Sequence, residues 1–328
     1  MSKAIVTGGL GFIGSHLVEF LLKQGFEVVV IDNQCIENKK NLNSELSNRN
    51  LTILDIDVRN KSALENIISN HDIVFHLAAL ADIVPSIENP FNYFDTNVTG
   101  TLNLLEICKT KKISKFVYTA SSTCYGIPST TPTPEDASIA PKYPYALTKW
   151  MGEELVMHWA NVYSIPAISL RLFNVYGPRS RTNGTYGAVF GVFLAQKIAG
   201  LPFTIVGSGN QTRDFTFVSD VVEAIFAASS SNLKNEILNV GSGETRSINE
   251  IVDILGGSTI HIPKRPGEPD ITFADISKIK KMLDWKPKVK LEDGISTMLA
   301  NIDYWKDAPR WTPESVKKAT QTWFKYLS

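Results

Sequence analysis

The chain has little with which to build a metal site or a disulfide framework. Its three cysteines, Cys35, Cys108 and Cys124, show neither metal-ligand nor paired-thiol spacing, and its five histidines are scattered. Thiols in a reducing compartment are the expectation. Net charge is lacking as well: 33 basic residues stand against 33 acidic ones, so nothing draws the chain generally toward nucleic acid or an anionic membrane. No apolar run approaches the length of a membrane span, and Met1-Ser2-Lys3 leads straight into an apolar strand without signal-peptide architecture. A cytoplasmic protein with small or locally recognised partners is expected, with neither nucleic acid nor membrane among them. Internal repeats and low-complexity linkers are absent too.

What is present is alternation. With 328 residues there is room for a large core in one or two domains. Apolar runs at 4–6, 28–31, 51–54, 73–75, 116–118 and 167–170 read as buried parallel strands separated by helical patterns. This predicts an α/β fold with a doubly wound parallel sheet, the Rossmann arrangement. Near residue 177 the pattern changes, and Tyr176-Gly177-Pro178-Arg179 opens a loop rich in Arg, Gly, Thr and Asn that runs to about Gly187. A Rossmann domain over 1–177 and a smaller substrate-binding lobe over 178–328 are expected. The two interleave, because 237–240 reads as another core strand in a segment near 213–241 that returns to the sheet. The end, from Tyr304 to Ser328, reads as packed helix without chemistry.

The first chemical signal follows the first strand: Thr7-Gly8-Gly9-Leu10-Gly11-Phe12-Ile13-Gly14. Lacking side chains, Gly8, Gly11 and Gly14 let the backbone turn tightly and approach a pyrophosphate at the start of a helix. That helix keeps Ile13, Leu17 and Leu21 in one row and ends at Gly25. The second strand ends in Asp32, where a carboxylate would accept the ribose hydroxyls of a dinucleotide and repel a 2′-phosphate. NAD is therefore expected over NADP; a purely structural glycine turn would leave Asp32 unexplained. Phe12, Ile13 and Asn33 flank these positions and count with them as cofactor contacts. Asp57 and Val58 follow the third strand and either meet adenine or form a simple turn. Leu77, Ala78 and Ala79 follow the fourth strand, where small residues would let a cofactor lie close to the backbone. Asn97 is either a further contact or a polar bridge.

The second signal is Tyr143-Pro144-Tyr145-Ala146-Leu147-Thr148-Lys149. Pro144 suits a first helical position, which puts Tyr145 and Lys149 one turn apart on one face. Of ten tyrosines, only Tyr145 has a lysine four residues on. A free tyrosine has a pKa of about 10, so a phenolate near neutrality requires a fall of roughly 3 pH units, or about 4 kcal/mol. The Lys149 ammonium, the helix N-terminus and a cationic cofactor could supply it. The alternative is an amphipathic helix with a half-buried tyrosine and a solvated lysine. Ser121, Ser122 and Thr123 end the fifth strand, on the side of such sheets where ligands sit. A hydroxyl there can hold a substrate oxygen and share its proton; without Tyr145 the run would read as a polar turn.

Together these stretches resemble the extended short-chain dehydrogenase/reductase family, in particular its nucleotide-sugar epimerases and dehydratases, over essentially the whole chain. Arg171-Leu172-Phe173-Asn174-Val175-Tyr176-Gly177-Pro178 and Arg213-Asp214-Phe215-Thr216-Phe217-Val218-Ser219-Asp220 resemble signatures of the same family. The resemblance implies Ser121 as the active-site hydroxyl, Tyr145 as the base and Lys149 as its partner. It implies Asn174, Arg213 and Arg265 as holders of a sugar-nucleotide diphosphate, although any one arginine could instead form a surface ion pair. Phe173 counts with the cofactor contacts, and Ser122 and Thr123 with the substrate contacts. Thr272 matches a gatekeeper position where a small residue would admit N-acetyl sugars, while Arg179 and Arg181 keep a hexuronic acid in play. The implied reaction is 4-epimerisation of a UDP-hexose, UDP-N-acetylhexosamine or UDP-hexuronic acid through a transient 4-keto sugar, with NAD. A C4 dehydrogenase or 4,6-dehydratase of the same family, or a catalytically silent NAD sensor or scaffold, is the alternative. The chain departs from the dehydratases in one respect: they carry an Asp-Glu pair directly after the active-site hydroxyl, where Ser122 and Thr123 stand here. A homodimer is the expected assembly.

Overall fold

The computed structural model describes residues 2–34, 38–180 and 189–327. Its centre is a sheet of seven strands: β1 (Lys3–Thr7), β2 (Glu27–Asp32), β3 (Leu51–Asp55), β4 (Ile73–His76), β5 (Lys115–Ser121), β6 (Ala167–Leu172) and β7 (Glu236–Val240). Across the sheet the order is β7-β6-β5-β4-β1-β2-β3, and every neighbouring pair is parallel. All six strands expected from the apolar runs are present, and the run at 237–240 joins the same sheet beside β6. Between the strands run α1 (Phe12–Lys23), α2 (Ile83–Glu88), α3 (Gly100–Lys109), α4 (Pro144–Tyr163) and α5 (Val218–Ser230).

Helices cover both faces, which is why the strands are apolar throughout instead of alternating; every residue of β5 is buried. On one face α1 and α5 contribute Leu17, Leu21, Val221 and Ile225 to a core with Val6, Val30 and Leu170. On the other, α3 and α4 contribute Leu104, Leu105, Val156 and Ala160 to a core with Ile5, Phe116 and Ala167. Gly152 lets α4 come this close, since a Cβ there would stand 3.1 Å from the Asn97 carbonyl and run into the Tyr118 hydroxyl. A third core gathers Phe190, Phe193, Phe203, Ile251, Met298 and Trp305, and Phe12 and Ile13 at the head of α1 pack against it. The chain passes from β3 at one edge to β4 on the far side of β1. Strand order therefore reverses between β1 and β4, and the crevice at the carboxyl ends of the strands opens there.

Candidate active site

β1 runs into a turn that demands glycine at two positions. Gly8 has φ +69°, and a Cβ there would stand 2.7 Å from the Ala78 nitrogen; at Gly14 a Cβ would run into the Gly8 carbonyl. Gly11 differs. Its backbone is extended (φ −70°, ψ −176°), and a Cβ there would meet one atom, the Gly8 oxygen at 3.2 Å. The space beyond it belongs to a cavity of about 830 Å³ that Gly8, Gly11 and Gly14 all line. This is a cradle for a phosphate over the N-terminus of α1. Asp32 closes one side of it, its carboxylate held by the Leu10 and Gln34 amides at 3.0 Å each. Phe12, Ile13, Asn33, Val58, Leu77, Ala78 and Ala79 complete this end of the wall. The set fits a dinucleotide lacking a 2′-phosphate.

Two expectations at this end change, and a third residue keeps its place with a partner. Asp57 lines the cavity, but Arg59 grips its carboxylate at 2.7 and 3.0 Å and Asn33 donates at 2.8 Å. The Arg59 hydrogen bonds hold Asp57 down to about 2, so an ion pair faces the cavity instead of a lone carboxylate. Asn97 is the polar bridge. Its amide accepts from Leu80 N at 2.8 Å and donates to Leu80 O and Thr148 Oγ1 at 3.0 Å each, which uses both N–H groups and keeps it off the cavity wall. Phe173 packs in the core beside Tyr125, ring centroids 6.3 Å apart, because β6 ends one residue earlier with its side chains still directed inward.

At the head of the crevice the structure brings Ser121, Tyr145 and Lys149 together. Ser121 is the last residue of β5, and its hydroxyl accepts from Thr123 N at 3.3 Å and pairs with Thr123 Oγ1 at 2.9 Å. α4 opens at Pro144 as expected. It carries Tyr145 against Ser121, near enough for the serine hydroxyl to act on the phenol. Lys149 is buried one turn on, its Nζ 4.3 Å from the centre of the Tyr118 ring. Ser122, Thr123 and Tyr143 line the cavity in front of this group.

The electrostatics correct the expectation that Lys149 drives the phenolate. Burial pushes Tyr145 above its ordinary value; the Ser121 hydrogen bond opposes this, and Asp82 and Cys124 add to it. Burial likewise pushes Lys149 down to about 7, with Glu153 opposing. Both groups leave water together, and desolvation penalises phenolate and ammonium alike. Beneath them lies a buried network that local sequence pattern does not reveal. Glu153 accepts from Arg171 at 2.6 Å and from Ser169 at 2.7 Å, Arg171 donates to the Tyr125 hydroxyl at 2.8 Å, and Tyr125 donates to Asn239 at 2.8 Å.

The far end of the cavity carries Asn174, Arg213, Arg265 and Thr272. Arg265 pairs with Glu268 at 2.9 Å and lies 5.3 Å over the Trp323 ring. Trp323 donates to Pro266 O at 2.7 Å and faces Tyr143 at 6.1 Å. The chain end therefore walls the cavity, against the expectation that it carries no chemistry. Thr272 donates to Asn174 Oδ1 at 2.8 Å, and Arg213 donates to Thr212 O at 2.9 Å. Arg179 is not among them: Glu19 of α1 captures it at 2.6 Å and Ser15 accepts from it at 3.2 Å, away from the cavity lining. Arg181 lies outside the described residues. Cys108 and Cys124 are free, and burial pushes both thiols up to about 12; Cys35 is outside the described residues.

A doubly wound sheet with a glycine turn at the switch point, a carboxylate at the end of β2 and a Ser-Tyr-Lys set beyond β5 is the arrangement of a dinucleotide-dependent enzyme. The family described as GDP-mannose 4,6 dehydratase matches residues 5–298, and the chain belongs to this group of extended short-chain dehydrogenase/reductases acting on nucleotide sugars. It is 36% identical over 310 residues to the UDP-glucuronate 4-epimerase of Thermodesulfobacterium geofontis, covering 90% of this chain and 94% of that one. The UDP-glucuronic acid 4-epimerase of Bacillus cereus, solved with UDP-glucuronic acid and NAD, superimposes with a TM-score of 0.83 at 35% identity over 93% of this chain and 99% of that one. The UDP-N-acetylglucosamine 4-epimerase of Methanobrevibacter ruminantium, solved with UDP-N-acetylmuramic acid, does so with a TM-score of 0.85 at 32% identity over 92% and 99%.

Proposed function

We propose that this chain is an NAD-dependent UDP-sugar 4-epimerase working through a transient 4-keto sugar. The observation that carries the reading is Tyr145 set against Ser121 with Lys149 buried one helical turn on, behind the cavity wall that Ser122, Thr123 and Tyr143 form. Gly8, Gly11 and Gly14 hold the cofactor pyrophosphate and Asp32 the ribose, with Val58 and Leu77 to Ala79 as walls. Asn174, Arg213 and Arg265 hold the UDP diphosphate, to which a guanidinium offers paired charged hydrogen bonds. Residues 1–177 carry the cofactor, and 178–328, with its return near 213–241, closes over the sugar nucleotide.

Tyr145 Oη takes the C4 hydroxyl proton, while Ser121 Oγ holds the same oxygen and steadies the charge that develops on it. Bound NAD supplies a cationic ring that accepts the C4 hydride and returns it. Burial raises Tyr145 further above its ordinary value, so the positive charge that would make it a base comes with the bound cofactor. Lys149 Nζ behind it supports the phenolate in its charged form. When the keto sugar has presented its other face, Tyr145 returns the proton to the same oxygen.

Elimination across C5 and C6 needs an acid and a base. Ser122 and Thr123 stand where those would be, and alcohols cannot fill two roles worth ~100-fold each. Exposed Phe91, Phe94, Leu147 and Val162, on the 90–94 helix and on α4, support a homodimer across that face. No helix among the described residues is long and apolar enough to cross a membrane, in keeping with a cytoplasmic enzyme. The test is incubation with UDP-sugars in deuterated water, followed by NMR. A C4 epimer without solvent deuterium is expected. A new C6 methyl with deuterium at C5, or a keto sugar accumulating with NADH, would overturn the reading.

A further inference from the structure

Among the described residues the side chain of Asp82 accepts no hydrogen bond and joins no ion pair. It stands at the N-cap of α2, where an aspartate ordinarily accepts from the next turn, yet it makes no such bond. It is partly buried and lines the cavity. Asn97 fixes the chain two residues before it by clamping both backbone groups of Leu80. The helix it opens, α2, packs against α4, the helix that carries Tyr145, which puts Asp82 on the Tyr145 side of the cavity. Arg213, Arg265 and Glu268 belong to the diphosphate end. Arg179, which could have welcomed a second anion, is taken by Glu19.

On a hexopyranose, C5 carries C6 and adjoins C4. A sugar whose C4 oxygen meets Tyr145 therefore brings its C6 substituent to the same neighbourhood. We propose that Asp82 is a charge filter on the sugar: it accepts a hydrogen bond from an uncharged hexose or an N-acetylamino hexose and rejects a hexuronic acid. This rests on the epimerase reading above and narrows it. A carboxylate as acceptor strengthens a bond from a sugar hydroxyl or amide, whereas a second carboxylate beside it in a partly desolvated pocket is repelled. The chain would then differ in substrate from the uronate epimerases it resembles.

The experiment compares UDP-glucose, UDP-N-acetylglucosamine and UDP-glucuronic acid on the NAD-loaded protein, with products identified by NMR. For the wild type, kcat/KM for UDP-glucuronic acid should lie at least ~100-fold below that for the better neutral sugar. Asp82→Asn, which keeps shape and removes charge, should narrow that ratio by ~10-fold or more, and Asp82→Ser should move it in the same direction. Equal use of neutral sugar and uronate by the wild type, or a ratio unmoved by both variants, overturns the proposal. If no UDP-sugar is turned over, the epimerase reading fails, and titration calorimetry still decides the filter. Tighter binding of UDP-glucuronic acid to Asp82→Asn than to wild type supports it, and equal binding refutes it.

Discussion

Tyr145 and Lys149 show how far two residues can be read from spacing alone. Their separation by four places and Pro144 before them predict one helical face, and the structure puts them there. It does not follow that the lysine charges the tyrosine, because burial acts on both and in opposite directions. On the proposed mechanism Tyr145→Phe should lower turnover by at least ~100-fold while NAD content stays at the wild-type level, read from kcat and from cofactor released on denaturation. Near-normal turnover would remove Tyr145 from the role of base. One turn deeper, Glu153 answers both Lys149 and Arg171. Glu153→Gln leaves the Arg171 guanidinium buried without its counter-charge, and stability should fall by about 3–5 kcal/mol in urea unfolding. Replacing both partners, Glu153→Leu with Arg171→Met, should recover much of that loss, since neither charge is then stranded. A double variant as unstable as the single would show that packing, not charge, sets the loss.

Elements were the most legible level. Each strand is a run of apolar residues covered on both faces, so periodicity was no guide but run length and spacing were. The glycine turn was readable because Gly8 and Gly14 answer backbone approaches that no side chain tolerates. Residues that join elements were not: Asn97, Phe173 and Arg179 each sit in a stretch that matches a functional pattern, and each is claimed by a partner remote in sequence. His76 is another such joint. Its ring lies 2.7 Å from Thr7 Oγ1 and 2.9 Å from Thr101 Oγ1, tying β1 to α3. Burial, helped by the Lys149 charge, pushes it down to about 3. An unfolded histidine titrates near 6.5, so below that pH the unfolded chain takes up a proton that the fold refuses. Stability should therefore fall as pH drops from about 6.5 toward 3, by up to about 1.4 kcal/mol per pH unit from this one group. His76→Gln should be less stable at neutral pH yet show a flatter loss between pH 6.5 and 5 in denaturant titrations. Parallel curves would exclude His76 as the source.

At the scale of the whole molecule the cavity is assembled from chain ends that no local pattern connects. Tyr143 precedes α4, Arg265 follows the short strand Thr259–Ile262, and Trp323 lies five residues from the end, yet Trp323 touches both of the others. Composition hid this, because a tryptophan among charges at a terminus reads as packing. Trp323 is indeed packed, being almost wholly buried, but one of its neighbours is the guanidinium proposed to grip the diphosphate. Trp323 lies across the face of the guanidinium while Glu268 meets its edge at 2.9 Å, and a guanidinium held in this way keeps a fixed orientation. A partly desolvated cation–π contact of this kind is worth about 1–2 kcal/mol, roughly a 5- to 30-fold change in an equilibrium constant. Trp323→Ala should accordingly raise KM for the UDP-sugar by about 10-fold. kcat should change less, because Tyr143 stands between Trp323 and Tyr145, and NAD affinity should hold because Trp323 makes no contact with the glycine cradle. Trp323→Phe keeps an aromatic face and should restore most of the affinity. Equal losses of NAD and UDP-sugar binding in Trp323→Ala would mean that the tail supports the fold as a whole and not the diphosphate grip.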